Sequence, residues 1–454
     1  MFRSLGRFNY RLWFFGSLVS NVGSWAQSTA LSWTVLTFLT DDDPAAMGVC
    51  MALQFGPPLL LVGITGWVAD RFPRRRILLV TQAALGSTAL TVGVLLLSGV
   101  LTLPLMYALA LLFGIATAFD NPTRQAFVSD LVGRADASNA VALNSAAFNT
   151  ARLIGPAVAG FAIVAVGSGW VFIADAVSYL ATIIVLLAMR RGELVPRAKA
   201  TGVQRFLDGF RYVRRRGDLV ALFAMAFIIG AFGMNFPIFA STMSLEFGHD
   251  ADGFGLLSSM LAIGSLAGAL LAARRAQARL RVAIATSLLF GISCGASAFM
   301  PGFWSYAAVC VITGFSVVTM LTTANGYVQT TAEPVLRGRV LAIYMALMMG
   351  GTVIGAPIVG WVAAVAGPRA AILVGGASGV VAFLIGVSWF LLSGRVRRSA
   401  DARLGIEVVE TRPIDLVVAP EEFSDAVLGA TPIREEPEDD LPEEPEGAVA
   451  VRPT

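Results

Sequence analysis

The sequence predicts an all-α membrane protein of twelve transmembrane helices arranged in two pseudo-symmetric halves of six. Three observations carry this reading. The 454 residues are 56% hydrophobic and only 14% charged, against about 25% charged in a typical soluble domain. Twelve apolar segments are close to or longer than the roughly 20 residues a helix needs to cross hydrocarbon. The stretch ARLIGPAVAG at 151–160 returns as GTVIGAPIVG at 351–360. This composition excludes a disordered chain, a coiled coil, a disulfide scaffold and an ordinary soluble enzyme. Helices follow because an open sheet in lipid leaves backbone groups unpaired, and the runs are too long for barrel strands.

The first half holds the expected spans 11–38, 45–69, 77–99, 103–122, 138–165 and 170–189. The second holds 218–242, 252–273, 282–300, 303–326, 339–365 and 369–393. The first span is long and lacks a small-residue cleavage site, so it is expected to stay as a helix. Cys50, Cys294 and Cys310 fall in or beside apolar runs and read as small core hydrophobes. The even-to-odd loops are basic, with Arg71, Arg74, Arg75 and Arg76 between spans 2 and 3. The odd-to-even loops carry Asp41, Asp42, Asp43, Glu246, Asp250 and Asp252, with Arg369 the one basic exception. Positive loops stay inside, so both termini are expected in the cytoplasm of a multi-pass protein of the cell (inner or plasma) membrane.

Residues 1–189 form the first expected domain and 218–398 the second. The connection 190–217 is basic, and Phe206, Phe210 and Val213 recur at helical spacing in it. It reads as a linker carrying an amphipathic helix on the inner membrane surface, or simply as a positively charged linker. Residues 399–454 are acidic and Pro-containing and are expected to be a largely disordered cytoplasmic tail. From 395 onward the net charge is −8, while the first 393 residues carry +11. The overall +3 therefore hides a basic membrane body and an acidic extension.

The run from Gly66 to Arg76, GWVADRFPRRR, resembles the loop 2–3 signature of the major facilitator superfamily, G-x-x-x-D-R-x-G-R-R-R, with Pro73 at the second Gly. That resemblance implies the superfamily fold and a conformational latch made of Gly66, Asp70, Arg71 and Arg74. Gly66 suits close helix packing, Asp70 suits a neighbouring helix N-terminus, and the arginines suit the inner leaflet. A topology-setting basic loop is the alternative. Gly155, Pro156 and Gly160 resemble the G-x-x-x-G-P-x-x-G-G element of antiporters in this superfamily, with Ala151 and Ala159 at two of its glycines. Gly355 and Pro357 form the matching element in the second half. The resemblance implies export by antiport; ordinary small-residue packing is the alternative. Ala110 stands where many exporters of the family carry an Arg, so the proton role of that Arg does not transfer. The stretch from Phe119 to Phe127, FDNPTRQAF, with Asn144, Asn149 and Arg152, is similar to the bacterial branch that includes enterobactin exporter-like and macrolide efflux-like proteins.

Polar groups within hydrocarbon are costly and mark function or helix contacts. Ser17, Asn21, Ser24 and Ser28 form one helical stripe in span 1 and are candidate substrate-cavity residues, together with Phe148, Asn149 and Tyr327. Asp120, Arg124, Arg152 and Asp175 are candidate proton or charge sites, because a carboxyl in a low-dielectric site carries a proton readily. An Asp120–Arg124 ion pair is an equal alternative. No metal cluster, nucleophile–base pair or nucleotide fingerprint is present in the sequence. The expected function is a cofactor-free secondary transporter driven by a proton gradient, exporting a small amphipathic molecule. Its expected partners are that molecule and the lipid bilayer, with no nucleic acid and no second subunit. Uptake by symport or facilitated diffusion, and a non-transporting scaffold or sensor acting through its acidic tail, remain alternatives.

Overall fold

A chain in hydrocarbon has only itself to satisfy its backbone, and the computed structural model is accordingly almost wholly helical. It describes residues 3–133, 136–193, 206–274, 278–333, 336–393, 396–398 and 406–408. The first group of helices is α1 (Phe8–Trp33), α2 (Pro44–Leu60), α3 (Val62–Arg71), α4 (Arg74–Leu97), α5 (Leu103–Leu131), α6 (Ala137–Val166) and α7 (Ser168–Ala188). The second is α8 (Phe206–Arg215), α9 (Gly217–Ile228), α10 (Phe236–Glu246), α11 (Ala251–Ala273), α12 (Leu280–Ser297), α13 (Phe303–Thr331), α14 (Arg337–Ala366) and α15 (Pro368–Leu392). One π-helical turn follows α1 at Thr34–Phe38, and another joins α9 to α10 at Ile229–Gly233.

Among the described residues, ten helices are long and apolar enough to cross a membrane, or eleven if the bent pair α2–α3 is one span. The sequence count of twelve includes α1, whose polar stripe makes it less apolar than the rest. The bend between α2 and α3 is 55°. It follows Pro57 and Pro58, which sit inside α2 and interrupt the backbone ladder. The fourth span was expected to end at 122, yet α5 runs on to Leu131. Pro122 sits inside that helix, where it removes the backbone bond to the Ala118 carbonyl, and Thr123 Oγ1 donates to the neighbouring Phe119 carbonyl at 2.7 Å.

α1 packs on α6 and α7, α4 on α5 and α7, and α11 and α12 on α13. The two groups meet chiefly where α2 packs on α14 and α6 on α11. These crossings depend on small residues. A Cβ at Gly160 would lie 2.7 Å from the Ala251 carbonyl, and one at Gly255 would lie 2.7 Å from the Pro156 carbonyl. Gly48 meets the Ala356 carbonyl and Gly360 the Pro44 carbonyl in the same way. All these contacts lie toward the end bearing Asp41–Asp43 and Glu246. At the opposite, basic end Leu60 is 80% exposed and a Cβ at Gly63 or Gly66 would meet nothing within 4 Å. The close-packing role expected of Gly66 is thus corrected: α3 bends away from the line of α2 and packs on α5, but not through Gly66.

Helix α8 packs on α14, where a Cβ at Gly209 would lie 2.9 Å from Arg339 Cβ, and it leaves Phe210 exposed. Val396–Arg398 and Ile406–Val408 pair as short antiparallel strands. The latter lies inside the expected disordered tail, whose remaining residues are outside the described ones.

Candidate functional site

A cavity of about 620 Å³ opens among α1, α2, α4, α5, α6 and α7, with Met349 of α14 the single contribution from the second group. Its volume falls in the range of small-molecule sites. The α1 stripe supplies Asn21, Ser24 and Ser28, as its spacing predicts, and also Trp25 and Gln27. Ser17 belongs to the same stripe but lies outside the cavity, 1% exposed and with no partner for its hydroxyl. α2 adds Gln54 and Phe55; α6 adds Asn144, Ser145, Phe148 and Asn149. The Trp25 and Phe148 rings meet edge-on at 5.8 Å, and Gly155 lets α6 approach this point, since a Cβ there would lie 2.5 Å from Trp25 Cβ.

The charged wall comes from α5. It lines the cavity with Thr117, Asp120 and Asn121, and its extension past residue 122 adds Arg124, Gln125 and Val128. Asp120 is 3% exposed. Its Oδ1 accepts from Thr81 Oγ1 and Gln82 Nε2 of α4, each at 2.7 Å. Its Oδ2 accepts from Arg124 Nε at 3.0 Å, an ion pair one helical turn long. The Arg124 guanidinium also lies 5.5 Å from the Trp13 ring centroid, and its Nη1 is buried without a partner.

Asp175 on α7 does not line the cavity. It is 1% exposed; Ser178 Oγ donates to its Oδ1 at 3.0 Å, and Oδ2 has no partner. It presses on α1 at Gly23, where a Cβ would lie 2.6 Å from Oδ1. One turn along α7, Tyr179 reaches the cavity wall and its hydroxyl lies 3.0 Å from Ser24 Oγ. Because Ser24 donates its only hydrogen to the Ser20 carbonyl, Tyr179 is the donor of that pair.

Arg152 is half-buried on α6 with no hydrogen bond or ion pair among the described residues. Tyr327, expected in the cavity, is instead 4% exposed at the basic end of α13, where its hydroxyl donates to Asp218 Oδ2 at 2.8 Å. A buried carboxylate one helix away holds it there. In the basic loop, Arg74 pairs with Asp130 at 2.6 Å and donates to the Ala126 carbonyl, while Arg71 lies 5.9 Å from the Trp67 ring centroid. The Asp70 side chain lies outside the described residues. Gly355 and Pro357 sit on α14; Gly355 is against the Ala231 carbonyl of the π turn, and Pro357 Cα is 3.0 Å from where a Gly48 Cβ would be.

Sequence reasoning missed Gln27, Gln54 and the Thr81–Gln82 pair. Neutral amides and hydroxyls carry no charge signal; the one available clue is that Asn121 and Gln125 share a face of α5 with Thr117.

A polytopic helical membrane protein with an open cavity of mixed polar and apolar lining between packed helices has the architecture of a solute transporter, and solved transporters share the fold. The chain is similar to a nucleoside transporter, NupG (TM-score 0.66, 14% identity, covering 84% of this chain and 99% of that one). It is also similar to a POT family transporter (TM-score 0.69, 12% identity, covering 85% and 96%). A family model described as transmembrane secretion effector matches residues 3–420, so the chain belongs to that family of the major facilitator superfamily. Its relatives include the staphyloferrin A transporter of Staphylococcus aureus, 25% identical over 74% of this chain and 85% of that protein. The enterobactin exporter EntS of Salmonella choleraesuis is 24% identical over 78% and 84%. The multidrug efflux pump Tap of Mycolicibacterium fortuitum is 25% identical over 79% and 90%. The chain is therefore a multi-pass membrane transporter of the major facilitator type and not an enzyme.

Proposed function

We propose that this transporter exports a small molecule from the cytoplasm in exchange for protons, by alternating access, through rocking of two six-helix halves in the cell membrane, of a cavity lined chiefly by the first half. Helix α1 completes the twelve, both termini are cytoplasmic, and one chain suffices. The single observation that carries this reading is the cavity of about 620 Å³, lined by polar and apolar side chains together and walled off from the acidic-loop end by the contacts of Gly48, Gly160, Gly255 and Gly360. The conformer is read as inward-facing, with the basic end open. The halves are supported by the 200-residue offset between α5 (Leu103–Leu131) and α13 (Phe303–Thr331), and between α6 (Ala137–Val166) and α14 (Arg337–Ala366). Gly167 and Gly367 end the latter pair with the same φ of +88°. Rocking of the halves about a fixed site then moves the cargo. Export is supported by the similarity to an enterobactin exporter and a multidrug efflux pump.

Asp120 has both oxygens engaged, so the proton is assigned to Asp175, whose Oδ2 lacks a partner. A buried carboxyl with one free oxygen is suited to hold a proton. Purified protein in proteoliposomes is expected to accumulate cargo when a pH gradient is imposed; no movement of any tested compound against its gradient overturns the reading. Asp175→Asn is expected to reduce gradient-driven accumulation by about tenfold, an ordinary coupling energy, while cargo exchange without a gradient persists. Equal losses in both assays point to misfolding. Truncation after residue 398 is expected to leave transport at the wild-type rate; loss of function in that variant supports a tail-dependent scaffold instead.

A further inference from the structure

The Arg124 guanidinium is held on two sides and unsatisfied on the third. Nε donates to Asp120, the plane is close to Trp13, and the buried Nη1 has no partner. Asp120 is the only carboxylate lining the cavity among the described residues. Its oxygens are taken by Thr81, Gln82 and Arg124, so it has little left for a cationic cargo. The cavity lining also carries carboxamides, among them Asn121 and Gln125 on the same helix as Arg124 and Asn144 and Asn149 on α6. The edge-on Trp25–Phe148 pair supplies an apolar aromatic surface in the same cavity.

We propose that the cavity selects an anionic amphiphile, a carboxylate-bearing molecule with an aromatic or hydrocarbon body. The carboxylate sits against the Arg124 guanidinium, whose Nη1 must turn out of its buried place to reach it, and the body sits against Trp25 and Phe148. This deepens the function proposed above and rests on the cavity being the cargo site. A buried charged N–H without a partner is costly, and the planar fork of Arg matches a carboxylate by two parallel bonds. The amides donate to the same oxyanion, and Asp120 is what fixes the fork in place. A cation entering here meets a fixed positive charge and no available counter-charge.

The test is calorimetric titration of the full chain in lipid nanodiscs with three probes of one skeleton: 4-phenylbutyrate, 4-phenylbutyramide and 4-phenylbutylamine. The acid is expected to bind about tenfold or more tightly than the amide, as charge-assisted bonding requires, and the amine more weakly than either. Arg124→Gln is expected to remove the acid's preference over the amide, costing the acid about tenfold more than the amide; Arg124→Lys keeps part of the preference. The wild-type ranking is itself decisive should Arg124→Gln fail to fold. Amide or amine binding as tightly as the acid overturns the anion assignment and leaves the transport reading standing. Binding of none of the three, with none accumulated by proteoliposomes under a pH gradient, overturns the cavity reading and the anion assignment with it.

Discussion

Gly160→Leu is expected to abolish net transport in a protein that still folds. The Cβ of residue 160 would lie 2.7 Å from the Ala251 carbonyl and 3.0 Å from Gly255 Cα. Both are backbone atoms of α11, so no change of side-chain rotamer makes room. The substitution therefore acts on the seam between the two groups of helices and leaves the packing of α6 on α1 alone. Overpacking of this kind costs typically 1–3 kcal/mol, and about 3 kcal/mol shifts a two-state population roughly 100-fold. The conformer closed at the acidic-loop end is the one penalised. Two measurements check this: cargo movement in proteoliposomes, and labelling of Ala251→Cys by a membrane-impermeant maleimide. Ala251 is 1% exposed, so labelling is expected to be slow in the parent and fast beside Gly160→Leu. Transport at the parent rate, or unchanged labelling, sinks the seam argument. Gly160→Ala adds one methyl to the same contact and is expected to be intermediate.

Asp218→Ala is expected to cost about 3 kcal/mol of stability, near the low end for breaking a buried pair because Arg216 keeps 24% side-chain exposure. Asp218 caps the basic end of the second group. Its Oδ1 accepts from Arg216 Nε at 2.8 Å, and its Oδ2 accepts from Arg216 Nη2 at 2.5 Å and from the Tyr327 hydroxyl at 2.8 Å. Arg216 Nη1 donates to the Tyr212 hydroxyl and the Thr331 carbonyl. One carboxylate thus ties α8, α9 and α13 together. The hydrogen bonds that the Arg216 guanidinium donates to Asp218 raise its already high pKa, so Arg216 stays charged and is left uncompensated when Asp218 is lost. Tyr327→Phe removes one neutral donor and is expected to cost about 1 kcal/mol. Thermal unfolding of the purified protein ranks the two; equal and negligible shifts refute the network.

These residues also mark how far the sequence is legible. Span lengths were readable because hydrocarbon demands an unbroken apolar run, and the basic loops because charge is sorted across the chain. The α1 stripe was readable because Asn21, Ser24 and Ser28 repeat at helical spacing. Tyr327 was misplaced because an aromatic on an apolar helix gives no sign of the carboxylate it faces, here more than 100 positions earlier in sequence. The extension of α5 was missed because Pro122 usually reads as a helix stop; it brought Arg124 out of an expected loop and onto the cavity wall. Gly66 was given a packing role because a glycine is equally consistent with a tight contact and with open space.

By itself, the sequence determined that this is a many-span helical membrane protein with sorted charge and a repeated Gly–Pro element. Hydropathy, loop charge and local spacing are properties of contiguous residues, and they suffice for that. Only the tertiary structure decided which polar groups share a cavity and which of the few buried charges are already satisfied. Asp120 is spent on Thr81, Gln82 and Arg124, whereas Asp175 and Arg124 each keep an unpartnered atom. That difference belongs to hydrogen bonds between helices distant in sequence, because the cost of a buried polar atom depends on the partners that packing brings to it.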